Sequence, residues 1–184
     1  MPRIEQITLR EIRLPLREPF RISSGLINER RLLLLELRDV DGVTGWSECV
    51  TLEQPNYNPE SIDTAWLAIP SWVAPRVLGR DFAHPRDVFP AMRRVRGHHM
   101  AKAAIEMAAW DLFARQQDVP LRQVLGGART EIAAGVSIGI QDSLEQLAER
   151  VAAELAEGYR RIKIKVKPGW DVEPVALIRE RFGP

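Results

Sequence analysis

The stretch Arg160–Asp171, RRIKIKVKPGWD, alternates basic and aliphatic side chains and then reaches Pro168-Gly169. Alternation with a period of two is typical of a strand that presents its lysines on one face and its aliphatic side chains on the other. Taken alone, it indicates a half-buried strand with a solvated lysine face. Lys167, beside the Pro-Gly pair, is expected to leave the strand. The flanking sequence favours a different role for the other lysines.

The flanking residues predict alternating strands and helices. Ile132–Ile140 is expected to form a strand, Asp142–Glu157 a helix, and Arg161–Val166 a second strand. Asp171 is a candidate N-cap for a further helix that runs to Phe182. The order strand, helix, strand, helix is typical of the first units of a parallel sheet.

A parallel strand flanked by crossover helices is covered on both faces, which changes the expected role of the lysines. Ile162, Ile164 and Val166 are predicted to pack under the helices, which sends Lys163 and Lys165 to the interior of a barrel. Their α-carbons would lie about 6.6 Å apart. Each ammonium group disfavours the charge on the other, so one of the two can serve as a neutral base. Because active sites of such barrels lie at the C-terminal ends of the strands, Lys165 is the better candidate.

The first fifty residues predict an antiparallel meander. Ile4–Leu14 and Arg31–Arg38 are the first two expected strands, and Asp41-Gly42 is a hairpin turn signal before a third strand, Val43–Val50. Arg17–Glu29 is predicted to be a long connection between the first two strands. Loops of that length in compact domains are usually functional or disordered.

Helical patterns follow the meander. A second irregular stretch, Thr51–Asn58, precedes a predicted helix from Pro59 toward Val73. Another helix is expected to start at Pro85. The strongest pattern covers Met100–Gln117, where alanines and larger apolar residues recur at helical spacing. That many alanines predict close packing around this helix.

Composition excludes several function classes. Lysine plus arginine total 26 and aspartate plus glutamate 25, so the net charge of +1 supplies no global field toward nucleic acid or an anionic membrane. The longest aliphatic run, Leu32–Leu35, is too short to span a bilayer, and the N-terminus has charges where a signal peptide needs an apolar core. We therefore expect a cytoplasmic protein without nucleic-acid or membrane partners. The single cysteine, Cys49, is expected to be a packed hydrophobe rather than a nucleophile.

Four blocks of this sequence resemble the enolase superfamily, specifically the branch of o-succinylbenzoate synthase and N-acylamino acid racemase. They cover nearly the whole chain in family order: PFRISSG (19–25), GWSECVTLEQPNY (45–57), MAKAAIEMAAWDLFARQQDVPLRQVLGG (100–127), and GVSIGI (135–140) followed by GYRRIKIKVKPGWDVEPV (158–175). The KxK pair alone is weak evidence. Its attachment to PGWD and to the AAWDL…PL…LGG block makes the assignment strong.

The resemblance implies an α+β capping domain, an antiparallel meander plus helices, over residues 1–127. Residues 128–184 would hold the first two β/α units of a modified TIM (β/α) barrel. A complete barrel needs about 250 residues, so the chain is expected to be the N-terminal half of an enzyme. Made alone, it is expected to be inactive.

The resemblance also implies a chemistry. The leading hypothesis is a Mg²⁺-dependent lyase of the o-succinylbenzoate synthase type, which abstracts a proton next to a carboxylate and expels water in menaquinone biosynthesis. The close alternative is N-acylamino acid (N-succinylamino acid) racemase. In the family the second lysine of the KxK pair is the acid/base catalyst, here Lys165, and the first, Lys163, assists electrostatically. Residues that match pocket-lining positions are Phe20, Ser23, Leu52, Tyr57 and Ser137.

The implied partners are a small-molecule carboxylate substrate, a Mg²⁺ ion and, at full length, further copies of the protein in a homo-oligomer. The resemblance places the metal-binding carboxylates on later barrel strands, so they are expected beyond Pro184. The carboxylates Glu48, Glu53, Glu106 and Asp111 lie in the capping region and are not expected to substitute for them. A third hypothesis for the function is an inactive fragment, or a binding module whose basic strand, Arg160–Lys167, binds an anion or RNA. That strand lacks the interleaved aromatic residues of nucleic-acid platforms.

Overall fold

The computed structural model describes residues 3–183, and the chain falls into two compact units. The first comprises the residues up to Leu14 together with Arg31–Ala128. The second comprises Pro15–Arg30 and the chain from Arg129 onward. Residues 15–30 are therefore grouped with a part of the chain that lies a hundred residues later.

A three-stranded sheet in the order β1-β2-β3 is built from Ile4–Ile22, Gly25–Asp39 and Thr44–Cys49. β2 and β3 pair antiparallel, with Leu33 opposite Cys49 and Arg38 opposite Thr44. The predicted turn between them forms because Gly42 adopts a φ of +85°, and the Asp39 carboxylate accepts hydrogen bonds from the N–H groups of Asp41 and Val43. The predicted meander is thus present.

The prediction of a long irregular connection over Arg17–Glu29 is wrong. β1 continues to Ile22 and β2 begins at Gly25, so only Ser23 and Ser24 form the turn of a long hairpin. The sequence pattern missed this extension because residues 17–29 show no clear apolar alternation. Backbone pairing decides it instead, because β1 and β2 are hydrogen-bonded neighbours in the sheet. The end of β1 has a further backbone partner, since the N–H of Ile140 donates to the carbonyl of Arg21 at 3.0 Å.

Helices cover the core of the first unit. They are α1 (Ile62–Ala68), which continues through one π-helical stretch to Val73, α2 (Val88–Met92), α3 (His99–Gln116) and α4 (Leu121–Val124). α1 begins later than the predicted start at Pro59, because Ser61 is its N-cap and the Ser61 side chain accepts from the N–H of Thr64.

α3 packs against β3 with its alanines in the contact. Ala101, Ala104 and Ala108 are fully buried, together with Ile105 and Leu112. Ser47 of β3 donates to the carbonyl of Ala104 at 2.6 Å, and the Asp111 carboxylate accepts from the backbone N–H of Trp46 at 2.8 Å. The small residues let a helix and a strand approach closely enough for these direct bonds.

The N-terminus of α3 is capped by a residue far away in sequence. His98, the N-cap residue, has a left-handed φ of +50° and provides no side-chain cap. The buried carboxylate of Glu60 accepts from the N–H groups of Met100 at 2.9 Å and Ala101 at 3.2 Å. These are two of the donors that an α-helix leaves unpaired at its start, and a negative charge there is favoured by the helix dipole.

Replacing Glu60 with glutamine is expected to lower the free energy of unfolding by about 2 kcal/mol. Glutamine keeps one acceptor oxygen but turns an NH₂ group toward the second N–H donor. Urea unfolding measures the loss, and Glu106→Gln within α3, the helix that Glu60 caps, is the control, with an expected change within about 0.5 kcal/mol. Equal effects of the two substitutions would show that Glu60 does not cap the helix.

The second unit contains the predicted order of strand, helix, strand and helix: β4 (Gly135–Ile138), α5 (Leu144–Ala156), β5 (Arg161–Ile164) and α6 (Val172–Phe182). β4 and β5 pair in parallel, with Ser137 opposite Lys163. Ser143 caps α5 by accepting from the N–H of Gln146, and Asp171 accepts from the N–H of Val172 at the start of α6. The predicted α+β class followed by two β/α units is confirmed.

Both strands of the second unit are shorter than predicted. β4 covers only Gly135–Ile138 of the predicted strand Ile132–Ile140, because β5 pairs with these four residues. β5 ends at Ile164, and Val166, which was expected to pack under a helix, is 43% exposed. The aliphatic core on the helix side of this sheet therefore rests on Ile162 and Ile164, which pack with Ile138, Leu147 and Val151.

Candidate active site

The two lysines of the KxK pair lie where β5 ends. Ile162 and Ile164 pack on the helix side, and the strand alternation places Lys163 on the opposite face, across from Ser137. Lys163 is exposed and Lys165 is half-buried. The N–H of Lys165 donates to the carbonyl of Ile138 at 3.0 Å, which ties this residue to the end of β4 although it lies just beyond β5.

Lys167 belongs to a tight turn after the strand. Its N–H donates to the carbonyl of Trp170 at 3.1 Å, and the N–H of Trp170 donates back to the carbonyl of Lys167 at 2.9 Å. Pro168 and Gly169 occupy the two central positions, and Gly169 has a φ of +77°, which favours glycine there. The Pro-Gly pair therefore stops the lysine alternation and starts the connection to α6.

Phe20 and Ser137 line a common pocket of about 160 Å³ within the second unit. The residues around it come from the end of β1, from β4 and from α5. Gly139 sits so close to Arg21 that a Cβ on it would lie 3.1 Å from the Arg21 carbonyl oxygen. An ion pair between Arg150 and Glu18 at 3.3 Å joins α5 to the same end of β1. Ser23 lies in the hairpin turn and does not line this pocket.

Leu52 and Tyr57 lie in the first unit, in the segment Thr51–Glu60, which we call the 51–60 loop. The base of the loop is closed by a bridge between Leu52 and Ser61, and the N–H of Ile62 donates to the carbonyl of Leu52 at 3.0 Å. Leu52 is partly buried, whereas Tyr57 is 88% exposed. The irregular conformation predicted for this stretch is observed.

Two of the carboxylates considered as substitute metal ligands, Asp111 and Glu53, have partners within the protein. Asp111 accepts from the Trp46 N–H and from Arg115 Nε, both at 2.8 Å, and Glu53 accepts from Arg31 at 3.0 Å. Across residues 3–183, no three His, Cys, Asp or Glu side chains come together as a metal site. The residues that the structure describes therefore do not fit a Mg²⁺ ion.

Cys49 lies in the core of the first unit, 1% exposed. Burial raises the pKa of its thiol, because the thiolate would lose its hydration. The residue is a packed hydrophobe, as the sequence predicts.

Sequence reasoning missed Arg31, which lies at the junction of three segments. Its guanidinium contacts the carboxylates of Glu11, Glu53 and Asp63. Hydrogen bonds to Glu11 and Glu53 raise the pKa of Arg31 above its ordinary value, and the bond from Arg31 lowers the pKa of Glu11. No local pattern signals this cluster, because its members are separated by at least 20 residues from Arg31.

Residues 4–126 match the model of the N-terminal domain of the mandelate racemase and muconate lactonizing enzyme family. The chain belongs to this family. The matched residues include β1 to β3 and α1 to α4, so this family domain accounts for the sheet, the 51–60 loop and the alanine-rich helix.

Members of this family and of the enolase superfamily resemble the chain over almost its entire length. It is 41% identical to o-succinylbenzoate synthase of Geobacillus stearothermophilus over 97% of the chain and 48% of that protein. It is 44% identical to N-succinylamino acid racemase of Thermus thermophilus over 98% of the chain and 48% of that protein. A structure of an enolase superfamily member from Listeria innocua superposes with a TM-score of 0.92 at 31% identity, over 98% of the chain and 48% of that structure.

The chain spans about half the length of the curated relatives it matches. The resemblance to the enolase superfamily is thus confirmed for the part of the fold that the chain contains. Among the described residues, no helix is long and apolar enough to cross a membrane.

Proposed function

We propose that the protein is an acid–base enzyme of the enolase superfamily that removes the proton next to a carboxylate, with dehydration of the o-succinylbenzoate synthase type as its reaction. The observation that carries this proposal is the parallel pairing of β4 with β5, which puts Lys163 across from Ser137. The backbone bond from Lys165 to Ile138 continues this pairing just beyond β5. The similarity to o-succinylbenzoate synthases at about 40% identity supports the choice of reaction.

In this proposal Lys165 is the acid/base catalyst. Its neutral amine takes the proton from the carbon next to the substrate carboxylate, and the electron pair of the C–H bond moves toward the carboxylate. The ammonium of Lys163 stabilises the negative charge that develops there. The hydroxyl on the neighbouring carbon then leaves as water after accepting a proton from Lys165, so a carbon–carbon double bond forms and the lysine returns to its starting state.

Racemisation of N-succinylamino acids is the second candidate, favoured by relatives of that name at 41% and 44% identity. It begins with the same proton abstraction by Lys165. It ends with return of a proton to the opposite face of the carbon from a second acid, which would come from outside residues 3–183. The two reactions therefore share the KxK strand and differ in what the pocket holds and in the fate of the intermediate.

Several further features belong to this proposal. We assign residues 1–127 to the capping domain and the chain from residue 128 to the barrel. A small carboxylate substrate would contact Phe20, Ser137, Leu52 and Tyr57, with Ser23 at the tip of the hairpin. A Mg²⁺ ion, usual in this superfamily, would be held by residues other than 3–183. We expect a cytoplasmic homo-oligomer.

Leu52→Ala is expected to change the ratio of synthase to racemase activity by about 10-fold or more, because a change of a methylene or more in a pocket wall is worth about 1–3 kcal/mol. The measurement compares kcat/KM for both reactions in the protein at its full encoded length. Leu67→Ala is the matched control, since Leu67 is an exposed leucine on α1 outside the loop. Equal losses of both activities in Leu52→Ala would contradict a role in substrate selection, and absence of both in the unmodified protein would refute the proposed function.

A further inference from the structure

Arg31 makes an unusually large set of ion pairs for one side chain. Its Nε and Nη2 donate to the two carboxylate oxygens of Glu11, each at 2.8 Å. Nη1 donates to Glu53 at 3.0 Å, and Nη2 donates also to Asp63 at 2.9 Å. The Arg31 side chain is only 15% exposed. The planar fork of a guanidinium can serve three carboxylates in this way, which a lysine ammonium cannot reproduce.

The three carboxylates belong to three different parts of the first unit. Glu11 lies on β1, Asp63 lies in the first turn of α1, and Glu53 lies in the 51–60 loop. Arg31 itself lies on β2, in the middle of the sheet order. One side chain on a paired strand therefore connects the loop to both the sheet and the helix that follows the loop.

The 51–60 loop has few other attachments. Its base is held by the bond from Ile62 to Leu52, and its end is held by Glu60 at the start of α3. Between these points the described hydrogen bonds of the loop are local, such as the bond from the Asn56 N–H to the carbonyl of Gln54 at 2.8 Å. The pair of Arg31 and Glu53 joins residues 53–57 to β2.

Electrostatics make the arrangement depend on Arg31. Three carboxylates face the Arg31 guanidinium, so Glu11, Glu53 and Asp63 would repel one another more strongly without it, although the charge of Arg13 also acts on Glu11. Exposed single pairs such as Arg38 with Glu5, at 3.5 Å, contribute little by comparison. Loss of Arg31 is therefore expected to release the loop rather than to unfold the sheet.

We propose that Arg31 is a positioning residue that orders the 51–60 loop through Glu53 and thereby sets which substrate the protein prefers. The proposal rests on the proposed function, which assigns Leu52 and Tyr57 to the substrate pocket. It goes beyond that function because neither Arg31 nor Glu53 needs to touch the substrate. A pocket wall displaced by about 1 Å can change a rate by about 10²-fold, so a residue behind the wall can act on specificity.

The experiment removes the ion pairs of Arg31 one at a time, in the protein at its full encoded length. Glu53→Gln removes the ion pair between Arg31 and the 51–60 loop. Asp63→Asn, the matched control, removes the ion pair between Arg31 and α1 and leaves the pair with Glu53 in place. Both positions are exposed, with 55% and 72% of the side chain accessible, so both variants should fold. Arg31→Lys tests the central residue itself, because an ammonium has three N–H donors and cannot make the four hydrogen bonds of Arg31.

Loop order is measured without any substrate, by hydrogen exchange at the Asn56 amide and by chymotrypsin cleavage after Tyr57. Glu53→Gln and Arg31→Lys are expected to accelerate both by about 10-fold, because the segment opens more often, while Asp63→Asn should leave both near the unmodified rates. The same variants should shift the ratio of kcat/KM for the two reactions by about 10-fold, through KM more than kcat.

The possible outcomes test the ordering of the loop, its link to substrate preference and the proposed function separately. Unchanged exchange and cleavage in both Glu53→Gln and Arg31→Lys would overturn the positioning role. Faster exchange with an unchanged activity ratio would overturn the link to substrate preference. If the unmodified protein catalyses neither reaction, the proposed function fails, and the exchange and cleavage rates still decide whether Arg31 orders the loop.

Discussion

Replacing Lys165 with alanine is expected to lower the rate of proton exchange at the substrate α-carbon by about 10²–10⁴-fold, the contribution typical of a positioned acid/base group. The residue lies at the end of β5 and is tied to β4 through its backbone N–H. Alanine keeps that backbone bond, so the loss should come from chemistry and not from unfolding. Incorporation of solvent deuterium into an N-succinylamino acid measures the exchange, in the protein at its full encoded length.

Two neighbouring lysines are the controls for Lys165. Lys167→Ala should change the exchange rate little, because Lys167 sits in the exposed turn around Pro168-Gly169. Lys163→Ala should weaken the reaction through the lost positive charge, and a lower pH should not restore it. Near-normal exchange in Lys165→Ala, or an equal loss in Lys167→Ala, would show that the base is a different group.

Replacing Gly45 with alanine is expected to lower the free energy of unfolding by about 4 kcal/mol or more, an effect at the upper end for a single substitution. A Cβ on Gly45 would lie 2.3 Å from the carbonyl oxygen of Ala108, 2.4 Å from the N atom of Leu112 and 2.6 Å from its Cβ. Two of these atoms are backbone atoms of α3, so no side-chain rotation relieves the clash. The helix would have to move away from β3 and lose the bonds at Ser47 and Trp46.

Urea unfolding tests this expectation, with Glu48→Ala as the control on the same strand. Glu48 is exposed, and its replacement should change the free energy of unfolding by at most about 0.5 kcal/mol. Because domains of this size are stable by only about 5–15 kcal/mol, Gly45→Ala should leave little net stability. Similar midpoints for the two variants would mean that α3 does not approach β3 as closely as described.

The sequence alone was sufficient for features that depend on neighbouring residues. Alternation in the lysine strand placed Lys163 opposite the aliphatic face, because the side-chain period of a strand acts between residues two apart. The turns at Asp41-Gly42 and Pro168-Gly169 follow from the backbone conformations that Gly and Pro favour. The order of strands and helices, and membership of the enolase superfamily, follow from such local patterns combined with the motif blocks.

Other features could be known only from the tertiary structure, because they join residues that are distant in sequence. Arg31 meets Glu11, Glu53 and Asp63 across separations of 20, 22 and 32 residues, and Glu60 caps α3 across 40 residues. Continuation of the hairpin to Ser23 depends on backbone pairing, and the need for glycine at position 45 depends on how closely α3 approaches. Each depends on which segments of the chain pack against one another. The partner of a charged side chain, or the atoms that face a glycine, cannot be read from the neighbouring residues in sequence.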